Sequence, residues 1–426
     1  MMNLAEIYRK VVQSPTFKSL AVFASVNMLV SVVQGVAGLV QARWVSPEVL
    51  GEFRKYGILT SYAAFSLILV QDGFVRQFPY LIGKGDREGA VMVAGVAKCW
   101  YLLVFFIMAL VYAVLSIKAL ISQDYNAAVG WGAQIVLFAM ISYGGFLAII
   151  YRRSMEFKRL SYNSLVASIT GVVGLIFVKP LGYFGIALRT CIVDMVSIYC
   201  NRKYIPMKIA AVWNKKRFLE LIKISIPLSL IGYIRTSFLT ASFSYLVLRY
   251  CGEKDLGLYG IAVVFQQFAL LFTNSLTQIF NVKSATHFGA TDSIKKSFKP
   301  LLLPAVLGGG AALLLACALC ITATPFISYF LPKYKGAIPI IYILSLAMPV
   351  LALGMPTGLL KTALKYKLIY IVGVAKVLSV IVAVFLLPKT IVWISVAVVI
   401  GELVDVVLGY FFLLNCIRQE GPLHEN

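Results

Sequence analysis

Charged side chains interrupt several long apolar runs of this sequence, and their chemistry is its most informative feature. A charge at the centre of a bilayer costs about 2.5–3.5 kcal/mol on insertion scales. Such side chains are therefore expected to border a watery cavity or to pair with an opposite charge. The cations are Lys98, Arg189, Arg235 and Lys376, and the carboxylates are Asp194, Glu402 and Asp405.

The cations predict an anion-binding cavity. Lys98, Arg235 and Lys376 lie well inside their runs, whereas Arg76 and Arg189 can also reach the membrane surface by snorkelling. Arginine holds phosphate oxygens with a planar fork of N–H donors, and lysine acts as a point charge. The alternative role for each cation is a structural salt bridge. The candidate substrate-binding residues are Lys98, Arg235, Lys376, Arg189, Arg76 and Asn27.

Uncharged polar residues and the carboxylates suggest two further roles. Asn27 and Gln34 are seven positions apart and therefore share one helix face. They are candidates for hydrogen bonds to sugars or, alternatively, to a neighbouring helix. Asp194, Glu402 and Asp405 are candidates for coupling to protons or sodium ions.

The sequence offers no material for nucleotide or metal chemistry. The loop pattern GxxxxGK[ST] is absent, so we do not expect ATP to be the direct energy source. Only two histidines are present, and we expect no catalytic residues, no metal site and no cofactor. The remaining energy sources are an ion gradient and the membrane potential, which is worth about 2.3 kcal/mol per elementary charge per 100 mV.

The composition places these residues in a membrane. Of the 426 residues, 60% are apolar and 13% are charged, whereas soluble domains are about half apolar and about a quarter charged. The net charge of +22 would suggest nucleic acid in a soluble protein. Here the charges lie mostly between apolar runs, so we expect membrane lipids and not nucleic acid as partners.

The apolar runs predict an all-α integral membrane protein with about 12 transmembrane helices. Each run is long enough to cross a hydrocarbon core of about 30 Å, where backbone groups must be satisfied internally. The predicted spans are 18–42, 55–81, 90–117, 129–151, 161–179, 182–200, 224–248, 258–282, 301–330, 336–360, 367–387 and 390–416.

Lysine and arginine are concentrated in the N-terminal segment and in every second connection after it. Such connections face the cytoplasm, so both termini are predicted to be cytoplasmic. The longest hydrophilic stretch, 201–223, suits an amphipathic helix on the cytoplasmic surface. We predict that it links an N-terminal lobe, 1–200, to a C-terminal lobe, 224–426.

The two predicted lobes contain similar residues at a nearly constant offset. Arg43, Gly51 and Asp86 each have a counterpart of the same type 206 positions later. Arg249, for example, is the counterpart of Arg43. Both repeats begin with an odd-numbered span, so they have the same orientation. This predicts parallel repeats related by an axis along the membrane normal.

Several segments resemble the Wzx-type O-antigen and polysaccharide flippases. The first-loop segment 43–53, RWVSPEVLGEF, resembles their signature, and the likeness extends over nearly the whole chain. The other segments that carry it are DGFVR at 72–76, GKGD at 83–86, LGLYGIA at 256–262 and the run from Pro325 to Tyr334.

The resemblance implies the multidrug/oligosaccharidyl-lipid/polysaccharide (MOP) exporter superfamily, with two six-helix lobes around a central cavity. Wzx-type members are not enzymes. They move undecaprenyl-diphosphate-linked oligosaccharides from the cytoplasmic to the periplasmic leaflet of the bacterial inner membrane by alternating access. The expected partners are that lipid-linked substrate, membrane lipids and the polysaccharide polymerase machinery.

The sequence leaves three alternative functions open. A multidrug antiporter of the same superfamily should have a more acidic cavity, and a lipid II flippase generally has more than 12 spans. A membrane glycosyltransferase or polymerase needs an acidic catalytic pair at a membrane face, often in a large periplasmic loop, and we predict no such loop.

Overall fold

The computed structural model describes residues 15–291 and 293–420, and no β-strand occurs among them. The fold is all-helical, as predicted. In the first half of the chain the helices are α1 (Pro15–Trp44), α2 (Pro47–Ala63), α3 (Phe65–Gly83), α4 (Arg87–Ile121), α5 (Tyr125–Ala139), α6 (Gly145–Arg153), α7 (Phe157–Val173), α8 (Leu175–Leu181) and α9 (Tyr183–Lys203). In the second half they are α10 (Lys215–Tyr233), α11 (Leu239–Cys251), α12 (Glu253–Thr291), α13 (Ile294–Phe330), α14 (Ile338–Leu353), α15 (Leu359–Thr362), α16 (Tyr366–Leu386) and α17 (Ile391–Gln419).

Wider or tighter helical turns join several of these helices end to end. π-helical turns connect α5 to α6 at Met140–Gly144 and α10 to α11 at Ile234–Phe238. Turns of 3-10 helix precede α14 at Pro332–Ala337 and α15 at Met355–Gly358.

Nine helical segments in the described part of the chain are long and apolar enough to cross a membrane, or ten if α2 and α3, bent by 49°, form one span. The protein is therefore a multi-pass membrane protein. The predicted spans at 224–248 and 258–282 fall on long helices, α10–α11 and α12, that lie outside this set. The nine are Ser25–Trp44, Arg87–Ile121, Tyr125–Arg153, Phe157–Leu181, Tyr183–Lys203, Ile294–Phe330, Pro332–Leu353, Tyr366–Leu386 and Ile391–Gln419.

Local sequence signals set several helix ends. Asp86 and Asp124 precede α4 and α5, and their carboxylates accept hydrogen bonds from the backbone N–H groups three residues later, at 2.8 and 2.9 Å. This N-capping satisfies donors that a helix start leaves free. Gly252 separates α11 from α12 with a φ of +90°, a conformation that side chains disfavour.

The chain divides into two compact units. Unit 1 comprises the described part of Met1–Val45 together with Tyr56–Leu230, and unit 2 comprises Ser46–Lys55 with the described part of Ile231–Asn426. Relative to the predicted lobes, the start of α2 therefore packs with unit 2, whereas the linker and most of α10 pack with unit 1. The predicted division into lobes at 1–200 and 224–426 stays a prediction.

In unit 2 the start of α2 crosses the start of α12 at two glycines. A Cβ atom added to Gly51 would lie 1.7 Å from the carbonyl oxygen of Glu253, and one added to Gly257 would lie 1.9 Å from that of Pro47. Gly51 and Gly257 are repeat counterparts, so the reciprocal contact agrees with a two-fold relation between these segments. The ion pair between Lys55 and Glu253, 2.6 Å long, lies beside the crossing.

The linker differs from the prediction of one amphipathic helix over 201–223. Helix α9 continues to Lys203, the next helix starts at Lys215, and the residues between them are not helical. Ile209 is buried, and the N–H of Val212 donates to the carbonyl of Gly95 on α4 at 3.2 Å. Contacts with a distant helix thus replace the helical hydrogen bonds of the linker backbone.

Candidate functional site

A cavity of about 380 Å³ with both polar and apolar walls lies within unit 1. Helices α1, α7 and α9 and the π-helical turn after α5 form its walls, so residues far apart in sequence meet there. The polar residues that line it are Gln34, Ser164, Ser168, Arg189, Thr190, Asp194 and Ser197, and the apolar ones are Val30, Met140, Ala167 and Val193.

Arg189 is the only cation in this lining and is 9% exposed. Its Nε donates to the carbonyl of Gly171 at 2.8 Å, and its two terminal nitrogens donate to the side-chain oxygens of Gln41 and Gln34 at 2.7 and 3.3 Å. All three acceptors are neutral. The guanidinium is therefore held in place by hydrogen bonds without a carboxylate to neutralise it.

Glycines on α7 and just after it make room for this arrangement. A Cβ at Gly171 would lie 2.8 Å from the side-chain nitrogen of Gln34, and one at Gly174 would lie 3.0 Å from the Cγ of Arg189. The absence of side chains here lets α1 and α9 bring their polar groups up to the backbone of α7.

Two polar groups of the lining lack partners among the described residues. The hydroxyl of Ser168, in a residue 2% exposed, makes no hydrogen bond. Asp194 is half-buried and takes part in no hydrogen bond or ion pair that the described residues supply. Buried polar groups normally have partners, so these two mark where a ligand or water would complete the site.

In unit 2 the predicted cations and carboxylates pair with one another. Lys376 on α16 is 5% exposed and donates to Glu402 on α17 at 2.8 Å. Arg235, in the π-helical turn before α11, is paired with Asp405 through both carboxylate oxygens. Glu402 and Asp405 are three positions apart and share one face of α17.

The other predicted cations have different surroundings. Lys98 on α4 donates to the carbonyl of Ile209 in the linker at 2.7 Å, so it holds the linker to unit 1. Arg76 is exposed on α3 and makes no hydrogen bond or ion pair among the described residues. Asn27 lies two turns before Gln34 on α1 and outside the cavity lining.

Comparison with known proteins places the chain in a family. The profile of a family described as "Polysaccharide biosynthesis protein" matches residues 40–298, which is more than half of the chain. The chain belongs to this family. No curated protein matches the sequence.

Solved structures share the fold of this chain. An inward-facing multidrug resistance MATE family transporter of the MOP superfamily is similar with a TM-score of 0.73 and 15% identity, over 94% of this chain and 100% of the other. A MOP superfamily transporter from Pyrococcus furiosus, whose binding pocket is described as having reverse polarity, matches with a TM-score of 0.65 and 15% identity, over 97% of this chain and 98% of the other. The chain thus has the MOP transporter fold.

Within this family member, the structure brings Arg189 and Asp194 together in the cavity of unit 1, and it brings Arg235, Lys376, Glu402 and Asp405 together in unit 2. Lys98, Arg76 and Asn27 join neither group. The roles predicted for all nine residues in binding or coupling stay predictions.

Sequence reasoning missed the hydroxyl groups of the cavity. Ser164 and Ser168 are four positions apart on α7, and Thr190, Asp194 and Ser197 follow helical spacing on α9. Polar residues at this spacing form one helix face inside an apolar run. That periodicity was the available signal, although hydroxyl groups in membrane helices often bond only to their own backbone.

Proposed function

We infer that the protein is a flippase that moves undecaprenyl-diphosphate-linked oligosaccharide repeat units, destined for O-antigen, capsule or a related polysaccharide. It acts by alternating access from the cytoplasmic to the periplasmic leaflet of the bacterial inner membrane, with both termini in the cytoplasm. The observation that carries this proposal is membership of the polysaccharide biosynthesis family in a chain with an exporter fold.

The charges of the described residues support an anionic substrate. Among the predicted cations, Arg235 and Lys376 are neutralised by Asp405 and Glu402, and Lys98 donates to a backbone carbonyl. Arg189 and Arg76 have no carboxylate partner among the described residues. Arg76 is exposed on a membrane helix, where a free guanidinium in contact with lipid alone is costly. A diphosphate group offers the bidentate acceptor that such a side chain binds well.

The membrane potential can drive this export. A substrate with two net negative charges that leaves a negative cytoplasm gains about 5 kcal/mol per 100 mV. Glu402 and Asp405 are already paired with cations, so Asp194 is the carboxylate best placed to couple a proton.

Multidrug export is the second candidate, because solved multidrug transporters share the fold. A drug exporter should protect cells from organic cations and leave lipid-linked oligosaccharides untouched. A deletion strain distinguishes the two functions: the flippase predicts that lipid-linked repeat units accumulate on the cytoplasmic side with unchanged drug susceptibility.

An arginine variant tests the role of Arg76. We expect Arg76→Ala to lower the initial export rate of lipid-linked repeat units by about tenfold, since hydrogen bonds to charged groups contribute about 1.5–3 kcal/mol. Arg76→Lys should keep part of the activity. Arg87→Ala changes another exposed arginine, at the start of the next helix, and should export normally. Equal export by Arg76→Ala and wild type would remove Arg76 from the site.

A further inference from the structure

The cavity of unit 1 presents donors and acceptors that its own walls do not satisfy. A guanidinium has five N–H donors, and the described contacts of Arg189 use three of them, one on each nitrogen. The carboxylate of Asp194 and the hydroxyl of Ser168 add acceptor and donor capacity in the same space. A ligand that fits must therefore both donate and accept hydrogen bonds.

The charges in the lining select against a simple ion of either sign. A metal cation at Asp194 would share the cavity with the uncompensated guanidinium of Arg189, and a phosphate at Arg189 would share it with the Asp194 carboxylate. Each arrangement places like charges in a partly buried site, which is unfavourable at low dielectric. A neutral, hydroxyl-rich group meets neither repulsion.

The size and the apolar part of the lining agree with a sugar ring. A volume of about 380 Å³ is near the lower end of the range for small-molecule sites, about 300–1,000 Å³, so the cavity suits one sugar unit better than a whole repeat unit. Val30, Met140, Ala167 and Val193 provide apolar surface that the C–H groups of a ring can contact.

We propose that this cavity binds one sugar of the lipid-linked oligosaccharide, with neighbouring ring hydroxyls bridging Arg189 and Asp194 and a third contacting Ser168. The assignment rests on the proposed flippase function and adds to it a saccharide-binding position. The site recognises the sugar portion, and the diphosphate binds elsewhere.

The test compares two lipids that differ only in the sugar. Full-length protein in detergent is titrated with undecaprenyl diphosphate and with the same lipid carrying the oligosaccharide, isolated from the deletion strain, and complexes are counted by native mass spectrometry. We expect Arg189→Gln and Asp194→Asn to weaken binding of the sugar-bearing lipid by at least about tenfold, and Ser168→Ala by about threefold. Binding of undecaprenyl diphosphate should not change.

Ser161→Ala is the matched control. Ser161 lies two turns from Ser168 on α7, is also 2% exposed with an unpaired hydroxyl, and is outside the cavity lining. It should bind both lipids like the wild type. Arg189 also joins three helices, so Arg189→Gln can fail to fold, but Asp194→Asn and Ser168→Ala remove no hydrogen bond or ion pair between described residues.

The outcomes separate the two proposals. If the wild type binds neither lipid, the flippase function fails and the sugar site with it. If the wild type binds both lipids equally, or if Asp194→Asn and Ser168→Ala leave the preference for the sugar-bearing lipid unchanged, the cavity holds only water and the sugar assignment is wrong. The flippase proposal survives that second result.

Discussion

The ion pair between Lys376 and Glu402 permits a sharp test of structural against substrate-binding charges. The two side chains are 7% and 17% exposed and lie 2.8 Å apart. At an effective dielectric constant of about 20, their attraction is about 6 kcal/mol. Transfer of the two charges out of water costs several kcal/mol each. This cost roughly cancels the attraction, so the intact pair adds little net stability.

Removal of one partner upsets this balance. Lys376→Met leaves the Glu402 carboxylate buried without a counter-charge. Glu402→Met leaves the Lys376 ammonium group buried without a counter-charge. Each should lower the free energy of unfolding by about 3–5 kcal/mol, whereas the double variant should recover most of the loss. The measurement is SDS-induced unfolding of the purified protein in mixed micelles, analysed as a double-mutant cycle.

Charge reversal then separates structure from substrate binding. In Lys376→Glu/Glu402→Lys the pair is kept with its polarity inverted, so a purely structural pair predicts near-normal folding and export. If Lys376 instead binds the substrate diphosphate, the charge-reversed variant should fold but not export.

A surface pair gives the control for this test. Lys254 and Glu48 lie 3.6 Å apart and are 64% and 52% exposed. Lys254→Met should change the free energy of unfolding by less than about 1 kcal/mol. If Lys376→Met is as stable as Lys254→Met, burial does not make the loss of a charge partner costly in this protein.

Three further changes have definite expected results. Gly257→Ala should destabilise the protein by about 1–3 kcal/mol in SDS unfolding because its Cβ meets the backbone of α2, whereas Gly310→Ala, with open space around it, should not. Lys98→Met should speed tryptic cleavage at Lys208, because the linker loses a charged hydrogen bond; an unchanged rate would mean that this bond does not hold the linker. Burial raises the pKa of the Glu420 carboxyl, but hydrogen bonds from the first N–H groups of α13 outweigh burial and leave it below its ordinary value. The stabilisation of the folded protein by the Glu420 carboxylate is thus complete above the unfolded-state pKa and is lost as the pH falls through the folded-state pKa. Glu420→Gln should therefore lower the free energy of unfolding by about 1 kcal/mol at pH 7 and by nothing in strong acid. A cost that does not depend on pH would contradict this.

Most of the helical architecture was predictable. Lipid offers the backbone no hydrogen bonds, so long apolar runs become helices whatever they pack against. Hydropathy was less decisive for α12, where polar residues interrupt the apolar ones, so the helix of the predicted span 258–282 lies outside the set that is long and apolar enough to cross a membrane. Local signals also predicted helix ends, since a cap such as Asp86 bonds only three residues away.

The linker shows where local pattern fails. Its mixture of basic and apolar residues fits an amphipathic helix, but the carbonyl of Ile209 binds Lys98 from 111 positions away, and Gly95 leaves space for the linker backbone. Neither partner is visible from the linker segment itself.

The sequence by itself determined that each charge inside an apolar run should border a watery cavity or pair with an opposite charge, because the cost of a bare charge in lipid follows from the residue and its immediate neighbours. Only the tertiary structure decided how. It paired Lys376 with Glu402 across 26 positions and Arg235 with Asp405 across 170, and it surrounded Arg189 with neutral oxygens beside a cavity. Contacts at such separations depend on which helices pack together, and no local pattern encodes that choice.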